Sequence, residues 1–253
     1  MNNKVYTYDG TYPSLISLIC YLFHNNIKPD DIRVDGYNPT LFETTIDLHI
    51  EKNEKDIIYI LKKYGTHINS FIFKVFLSHD SKRELVIYYF LLNANKYGAN
   101  VINMRNLRCV CKTLELARYV NNEAHKLKGF VRFQELANHI LYAKISPVND
   151  VLPLLSEHFK KRLNSEYWVI DDEGRSLVSI YDKKNYYIIE KSELKMDLEN
   201  ISDDENEISA MWCSFYETIG IKERENHRCR MNFMPKRYWK YMTEMSDECE
   251  KGN

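Results

Sequence analysis

Glycine and proline are scarce in this chain, 8 and 6 of 253 residues. That scarcity excludes collagen-like and Pro/Gly-rich low-complexity organisation. No apolar run approaches the ~18 residues of a membrane span. The longest, Leu85–Leu92, is far shorter. The opening Met1-Asn2-Asn3-Lys4-Val5-Tyr6 lacks a charged region followed by an apolar one, so no signal peptide is expected. Neither sign of charge is in excess: Lys+Arg 35 against Asp+Glu 36 gives a formal net charge of −1. That balance excludes a protein that coats polyanions with its whole surface, though not one with a local basic patch. The common catalytic signatures are also missing: P-loop, G-x-G-x-x-G after a strand, H-E-x-x-H and G-x-S-x-G. So is the three-cysteine cluster (C-x₃-C-x₂-C) of a radical enzyme.

What is present is an ordinary globular composition, 44% hydrophobic and 28% charged, in a length of one to two domains. Six scattered cysteines (20, 109, 111, 213, 229, 249) do not form a disulfide framework and suit free thiols in a reducing cytoplasm. The close pair Cys109-Arg-Cys111 lacks a second ligand pair and lies on a predicted helix, where neighbours two apart diverge. No metal site and no cofactor are expected.

Periodicity gives the elements. Val5–Tyr8 alternates like a strand, Asp9-Gly10 is a turn signal, and Pro13 opens a helix carrying Leu15, Ile16, Leu18, Ile19 and Leu22. Residues 25–40 read as loop and Thr44–Ile50 as a second strand. Helical patterns follow at about 53–64, 68–78 and 82–97, the last two forming an apolar hairpin. A longer helix runs from about 106 to 127. Its rows Cys111/Arg118/His125 and Leu107/Leu114/Asn121 turn polar toward the C-terminus, which means either a cleft lining or contacts to a neighbouring loop. Phe130–Phe133 with Leu141–Ile145 read as a strand hairpin, Val151–Leu163 as a helix, then Trp168–Ile170, Leu177–Tyr181 and Tyr186–Ile189 as strands. Helices at about 206–219 and 235–246 close the chain.

The expected fold is α+β: an N-terminal helical part packed on an antiparallel sheet of order β-β-α-β-β-β, with C-terminal helices. The chain reads as one unit, 1–253. Residues 1–128 are mainly helical, 129–190 antiparallel β with one helix, 191–207 an acidic linker, and 208–253 the C-terminal helices.

Charge is segregated. Residues 96–132 hold eight bases against two acids, net +6; residues 222–240 hold seven against two, net +5; residues 190–207 hold eight acids and two bases, net −6. The second basic stretch interleaves with Phe233, Tyr238, Trp239 and Tyr241, a pattern that suits phosphate contacts and base stacking. The alternative is that these aromatics pack inward and the basic stretch docks on the acidic one. Candidate nucleic-acid contacts are Arg118, Lys128 and Arg132 on one edge, with Lys222, Arg224, Arg228, Arg237, Trp239 and Lys240 on another. His125, His158, Asp171, Asp172 and Arg175 are candidates for acid–base or phosphate chemistry, with His125 or His158 as the acid–base group.

An ordered set of motifs adds to this reading: His125-Lys-Leu-Lys-Gly-Phe-Val-Arg-Phe133, Tyr142-Ala-Lys-Ile-Ser-Pro147, Asn149-Asp-Val-Leu-Pro-Leu-Leu155, His158-Phe159, Trp168-Val-Ile-Asp-Asp172, Tyr181-Asp182 and Met234-Pro-Lys-Arg-Tyr-Trp-Lys240. Together with Tyr6–Gly10 and Ile221–Arg224, it resembles the bacterial family called probable DNA metabolism protein, the domain of unknown function 4130. The resemblance implies a radical S-adenosylmethionine (SAM) protein that modifies or repairs DNA as a partner. It also implies a uracil-DNA-glycosylase-like partner, which some members carry fused. Where the family motif often has His, this chain has Asn149. The expected function is DNA metabolism and repair: an accessory protein that binds DNA beside such a partner in the cytoplasm, with no membrane association. An enzyme acting on nucleic acid, or a protein–protein adaptor without DNA contact, are the alternatives.

Overall fold

The computed structural model describes residues 3–48, 53–196, 198 and 200–245; the side chains of Glu54, Leu61, Asp203 and Lys222 are outside the description. The chain divides into two compact units, Met1–Asn121 and Asn122–Asn253. Both helices and sheets are present, as an α+β class requires.

In the first unit, β1 (Asn3–Tyr8) leads through Asp9-Gly10 into α1 (Tyr12–His24). Gly10 has φ +83°, and a Cβ there would meet Val34 Cγ1 at 3.1 Å, so this turn needs glycine twice over. Thr11 caps α1 by accepting from the Ser14 N–H, and Pro13 sits in the first turn, where a missing N–H costs nothing. The helix buries Leu15, Ile16, Leu18, Ile19 and Leu22. Next come β2 (Asp31–Val34) and β3 (Glu43–Asp47), both parallel to β1, in sheet order β2-β1-β3. Helices make up most of this unit, and the parallel sheet includes one strand, β2, that the sequence does not show. β2 lies inside the 25–40 stretch that reads as loop. At four residues it is too short to show an alternation, and its pairing with β1 is set by α1 in between. The Thr44–Ile50 strand is observed as Glu43–Asp47, and residues 49–50 lie outside the described ones.

Three helices complete the unit: α2 (Glu54–Tyr64), α3 (Thr66–Phe76) and α4 (Arg83–Tyr97). The α3–α4 hairpin forms as expected, with the Phe71 and Phe90 rings 6.0 Å apart. Buried Glu84 accepts from the Tyr8 hydroxyl at 3.0 Å and from Arg83 Nε at 2.9 Å, tying α4 to β1. The division between the units falls within α5 (Arg108–Phe130).

The second unit carries β4 (Gln134–Glu135), β5 (Leu141–Ile145), α6 (Leu152–Arg162), β6 (Trp168–Asp172), β7 (Leu177–Tyr181) and β8 (Tyr186–Glu190). The β-β-α-β-β-β order is present, and the spatial order is β4-β5-β6-β7-β8. Two details differ. α5 runs on through Phe130, so the first strand is only Gln134–Glu135 rather than 130–133. And β5 pairs with β6 in parallel, the other pairs being antiparallel, so the sheet is mixed. The inserted α6 is the crossover that a parallel pair needs.

Trp168 is fully buried and stacks on Tyr181 at 5.1 Å and 19°. Below α6, the Ser156 hydroxyl donates to Leu152 O and accepts from Ser179 Oγ, both at 2.7 Å. The acidic stretch is more than a linker: Leu136 and Ile201 form a bridge, Ser202 caps α7 (Asp203–Ile219), and Glu205 is buried, accepting from the Glu135 N–H at 3.0 Å. After α7 comes α8 (His227–Phe233). A 3₁₀ turn, Lys236–Tyr241, stands where a helix over 235–246 was expected. Cys20, Cys109, Cys111 and Cys229 are free thiols; Cys213, expected free, is disulfide-bonded. Among the described residues no helix is long and apolar enough to cross a membrane.

Because Trp168 is fully buried at the start of the central strand β6, Trp168→Ala is expected to lower unfolding free energy by about 3–5 kcal/mol. Urea denaturation followed by circular dichroism checks this; a loss below about 1 kcal/mol would contradict the packing described.

Candidate nucleic-acid interface

In the first unit, the inward face of α5 is Val110, Thr113, Leu116, Ala117 and Val120, all buried. That leaves Arg118 and Tyr119 on the outside of the helix. They border a groove of about 550 Å³, whose lining includes Phe71 and Lys74 from α3, Arg105 before α5, and Arg118, Tyr119 and Asn121 from α5. A volume of that order is typical of ligand sites. Lys74, Arg105 and Arg118 make no side-chain hydrogen bond or ion pair among the described residues. Glu115 is the acid in the lining, and it lies 3.7 Å from Lys112. The groove therefore sets three cations against one acid, beside two aromatic rings. Fixed cations of this kind attract phosphate oxygens, and ring faces stack on bases. A smaller cavity, about 150 Å³, also holds a lysine, but Lys63 is engaged there with Tyr59 Oη and Asn95 Oδ1.

The second unit uses its cations differently. Arg132 pairs with both carboxylate oxygens of buried Glu244, at 3.1 and 2.5 Å, and Trp212 Nε1 donates to the same carboxylate at 3.2 Å. Arg237 donates to Glu123 at 3.2 Å and to the Tyr238 hydroxyl at 2.7 Å. Lys240 donates to Glu173 at 3.3 Å, and Trp239 Nε1 to Met234 O at 2.9 Å. Three of the residues proposed from sequence as nucleic-acid contacts, Arg132, Arg237 and Lys240, thus hold the 234–244 segment to the rest of its unit, and Trp239 bonds within the segment. None of these bonds goes to the acidic 190–207 stretch. The side chains of Lys128, Arg224 and Arg228 make no hydrogen bond or ion pair among the described residues; the Lys222 side chain lies outside them.

Glu123 is the centre of this arrangement. Its buried carboxylate accepts from the Val148 N–H (3.0 Å), the Asn149 N–H (2.8 Å), Asn149 Nδ2 (2.6 Å), the Tyr238 hydroxyl (2.8 Å) and Arg237 (3.2 Å). Burial alone would raise its pKa, but the Asn149 and Val148 N–H groups and the Tyr238 hydroxyl outweigh that and hold it below its ordinary value. Burial pushes the Tyr238 hydroxyl up to about 12, which keeps it a donor. The polar turn of α5 therefore serves both purposes open from sequence: Arg118 and Asn121 line a groove, and Glu123 bonds a neighbouring loop.

The histidines are not part of a constellation. His125 is exposed on α5. His158 is partly buried on α6, and its Nε2 finds no hydrogen-bond partner. Burial, then Lys128 and Arg162, hold it below its ordinary pKa and keep it neutral. Neither histidine is among the residues lining the groove. Asp171 and Asp172 are fully buried at the end of β6 rather than in a turn. Asp171 accepts from the Tyr142 hydroxyl (2.7 Å) and Lys191 (2.5 Å). Burial raises the Asp172 pKa, although Arg175 bonds it at 3.0 Å. No group of metal-ligating side chains occurs among the described residues. Sequence reasoning passed over Phe71 and Lys74, because α3 reads as a core helix, and Glu123, because it counts there only as a minus sign.

The family model for a domain of unknown function, DUF4130, matches residues 81–244. The chain belongs to the DUF4130 family. The matched range begins just before α4 and includes α5, the whole β4–β8 sheet and the Glu123 and Glu244 networks, while residues 1–80 fall outside it. No curated protein and no solved structure matches this DUF4130 chain.

The depressed pKa of Glu123 has a stability consequence. Its contribution is fully present above the unfolded value of 4.5 and is lost as pH falls through the lower, folded value. Glu123→Gln is expected to cost about 3 kcal/mol at pH 7, since an amide offers one acceptor to five donors. The variant is also expected to lose less stability than the parent below about pH 4. Urea midpoints at pH 7 and pH 3.5 measure both effects; identical pH profiles would refute the role assigned to Glu123.

Proposed function

We propose that this DUF4130 protein is a nucleic-acid-binding accessory protein of DNA metabolism, and that the groove formed by Phe71, Lys74, Arg105, Arg118 and Tyr119 is its binding site. The observation that carries this is the set of three cations, uncompensated by any bond of their own, around a ligand-sized cavity with two aromatic rings. Internal ion pairs engage Arg132, Arg237 and Lys240, which leaves Arg118, Lys128, Arg224 and Arg228 as the sequence-derived contacts still available to phosphate. In this reading the protein works in the cytoplasm beside a radical SAM protein or a uracil-DNA-glycosylase-like protein, as its family resemblance suggests. The groove lining supplies no histidine and no paired carboxylates, so it offers nucleic acid a binding surface rather than acid–base chemistry.

Binding of labelled single-stranded and duplex oligonucleotides between 50 and 200 mM salt tests the proposal. The logarithm of affinity is expected to fall linearly with the logarithm of salt concentration. Each of Lys74→Ala, Arg105→Ala and Arg118→Ala should lower the slope by about one. Tyr119→Ala should weaken single-strand binding by about 1–3 kcal/mol with the slope unchanged. No binding at 50 mM salt, or an unaltered slope in the triple lysine and arginine variant, would overturn it.

A further inference from the structure

One face of α7 is uncovered. Ile208, Met211, Phe215 and Ile219 are 53%, 68%, 52% and 57% exposed, and Trp212 lies beside them at 40%. Spacings of three and four place all five on one side of the helix. The adjoining side is engaged: Glu205 bonds the Glu135 N–H, Trp212 Nε1 donates to Glu244, and α7 packs on the turn at Thr243–Met245. α7 also has a charge of one sign. It contains Asp203, Asp204, Glu205, Glu207 and Glu217 and no Lys or Arg.

The next segment is its counterpart. Ile221, Met231 and Phe233 are exposed, Phe233 at 71%. Around them stand Arg224, Arg228 and Arg230, none of which makes a side-chain hydrogen bond or ion pair among the described residues. Isolated exposed apolar residues are ordinary, but the continuous apolar face of α7 marks a surface that something covers. α7 carries acids alone, while residues 221–233 are net basic, four Lys and Arg against Glu223 and Glu225.

We propose that the occupant is a second copy of this chain: α7 of each copy packs against residues 221–233 of the other about a twofold axis. Pairing α7 on α7 would set acids against acids. The reciprocal exchange sets acids against arginines in two equivalent contacts and covers the apolar face of α7 with exposed side chains such as Phe233, as an isologous interface allows.

Sedimentation velocity of the full chain from 1 to 200 µM is expected to show a dimer whose dissociation constant rises with salt. Phe215→Glu and Phe233→Glu should each raise that constant at least about 30-fold. Both positions are more than half exposed, so each variant should keep the parent's circular dichroism and melting; Met211→Lys gives a second probe of the same face. The decisive arm mixes the Phe215→Glu and Phe233→Glu proteins. One of the two contacts in the mixed dimer is then free of substitutions, so dimer should return. A monomer at every concentration would overturn the proposal and assign the face to another protein. A dimer insensitive to both substitutions, or a mixture that stays monomeric, would overturn it as well.

Discussion

Much of the second unit hangs on one buried carboxylate. Glu123 collects donors from the 148–149 loop and from Arg237 and Tyr238. A charge removed from water is costly unless its lone pairs are filled, and these five donors fill them. The requirement works in both directions. The carboxylate needs the loop and the C-terminal turn in place, and those segments have few other reasons to adopt their course, since the turn is a single 3₁₀ stretch with only Tyr238 buried. Arg132 with Glu244 repeats the device at the far end of the same segment.

This constraint separates cations that hold the molecule together from cations that face outward. Basic residues interleaved with aromatics, as at 236–241, look like a nucleic-acid surface when counted along the chain. In the folded unit, Arg237 and Tyr238 close on Glu123, Lys240 and Tyr241 on Glu173, and Trp239 on a backbone carbonyl. A cluster of unspent charge lies in the first unit, where Lys74, Arg105 and Arg118 come from three places in the sequence to one groove. Arg118 was visible from its position on the outer part of α5. Lys74 was not, because α3 presents Ile68, Ile72 and Val75 so strongly that its remaining positions pass for helix surface of no account.

The elements themselves were largely legible. α1 shows itself by its cap, its early proline and five buried apolar residues at helical spacing; β6, β7 and β8 show themselves by runs bounded by polar turns. The misreadings have one origin. β2 is four residues long, and Phe130-Val-Arg-Phe133 alternates although its first residue ends a 23-residue helix. Over so few residues the local pattern is ambiguous, and pairing decides. The direction of the β5–β6 pair is likewise absent from either strand, since it follows from α6 crossing between them.

By itself the sequence determined the α+β class, most of the helices and strands in their order, and the family. Each of these is written in short-range periodicity or in ordered motifs. Tertiary structure alone decided that the N-terminal strands form a parallel sheet, that the second sheet is mixed, and which charges are spent internally and which are free. Those facts depend on partners far apart in the chain, such as Glu123 with Tyr238 or Lys74 with Arg118. A charge count along the sequence records how many such groups exist, but only folding sets which of them meet.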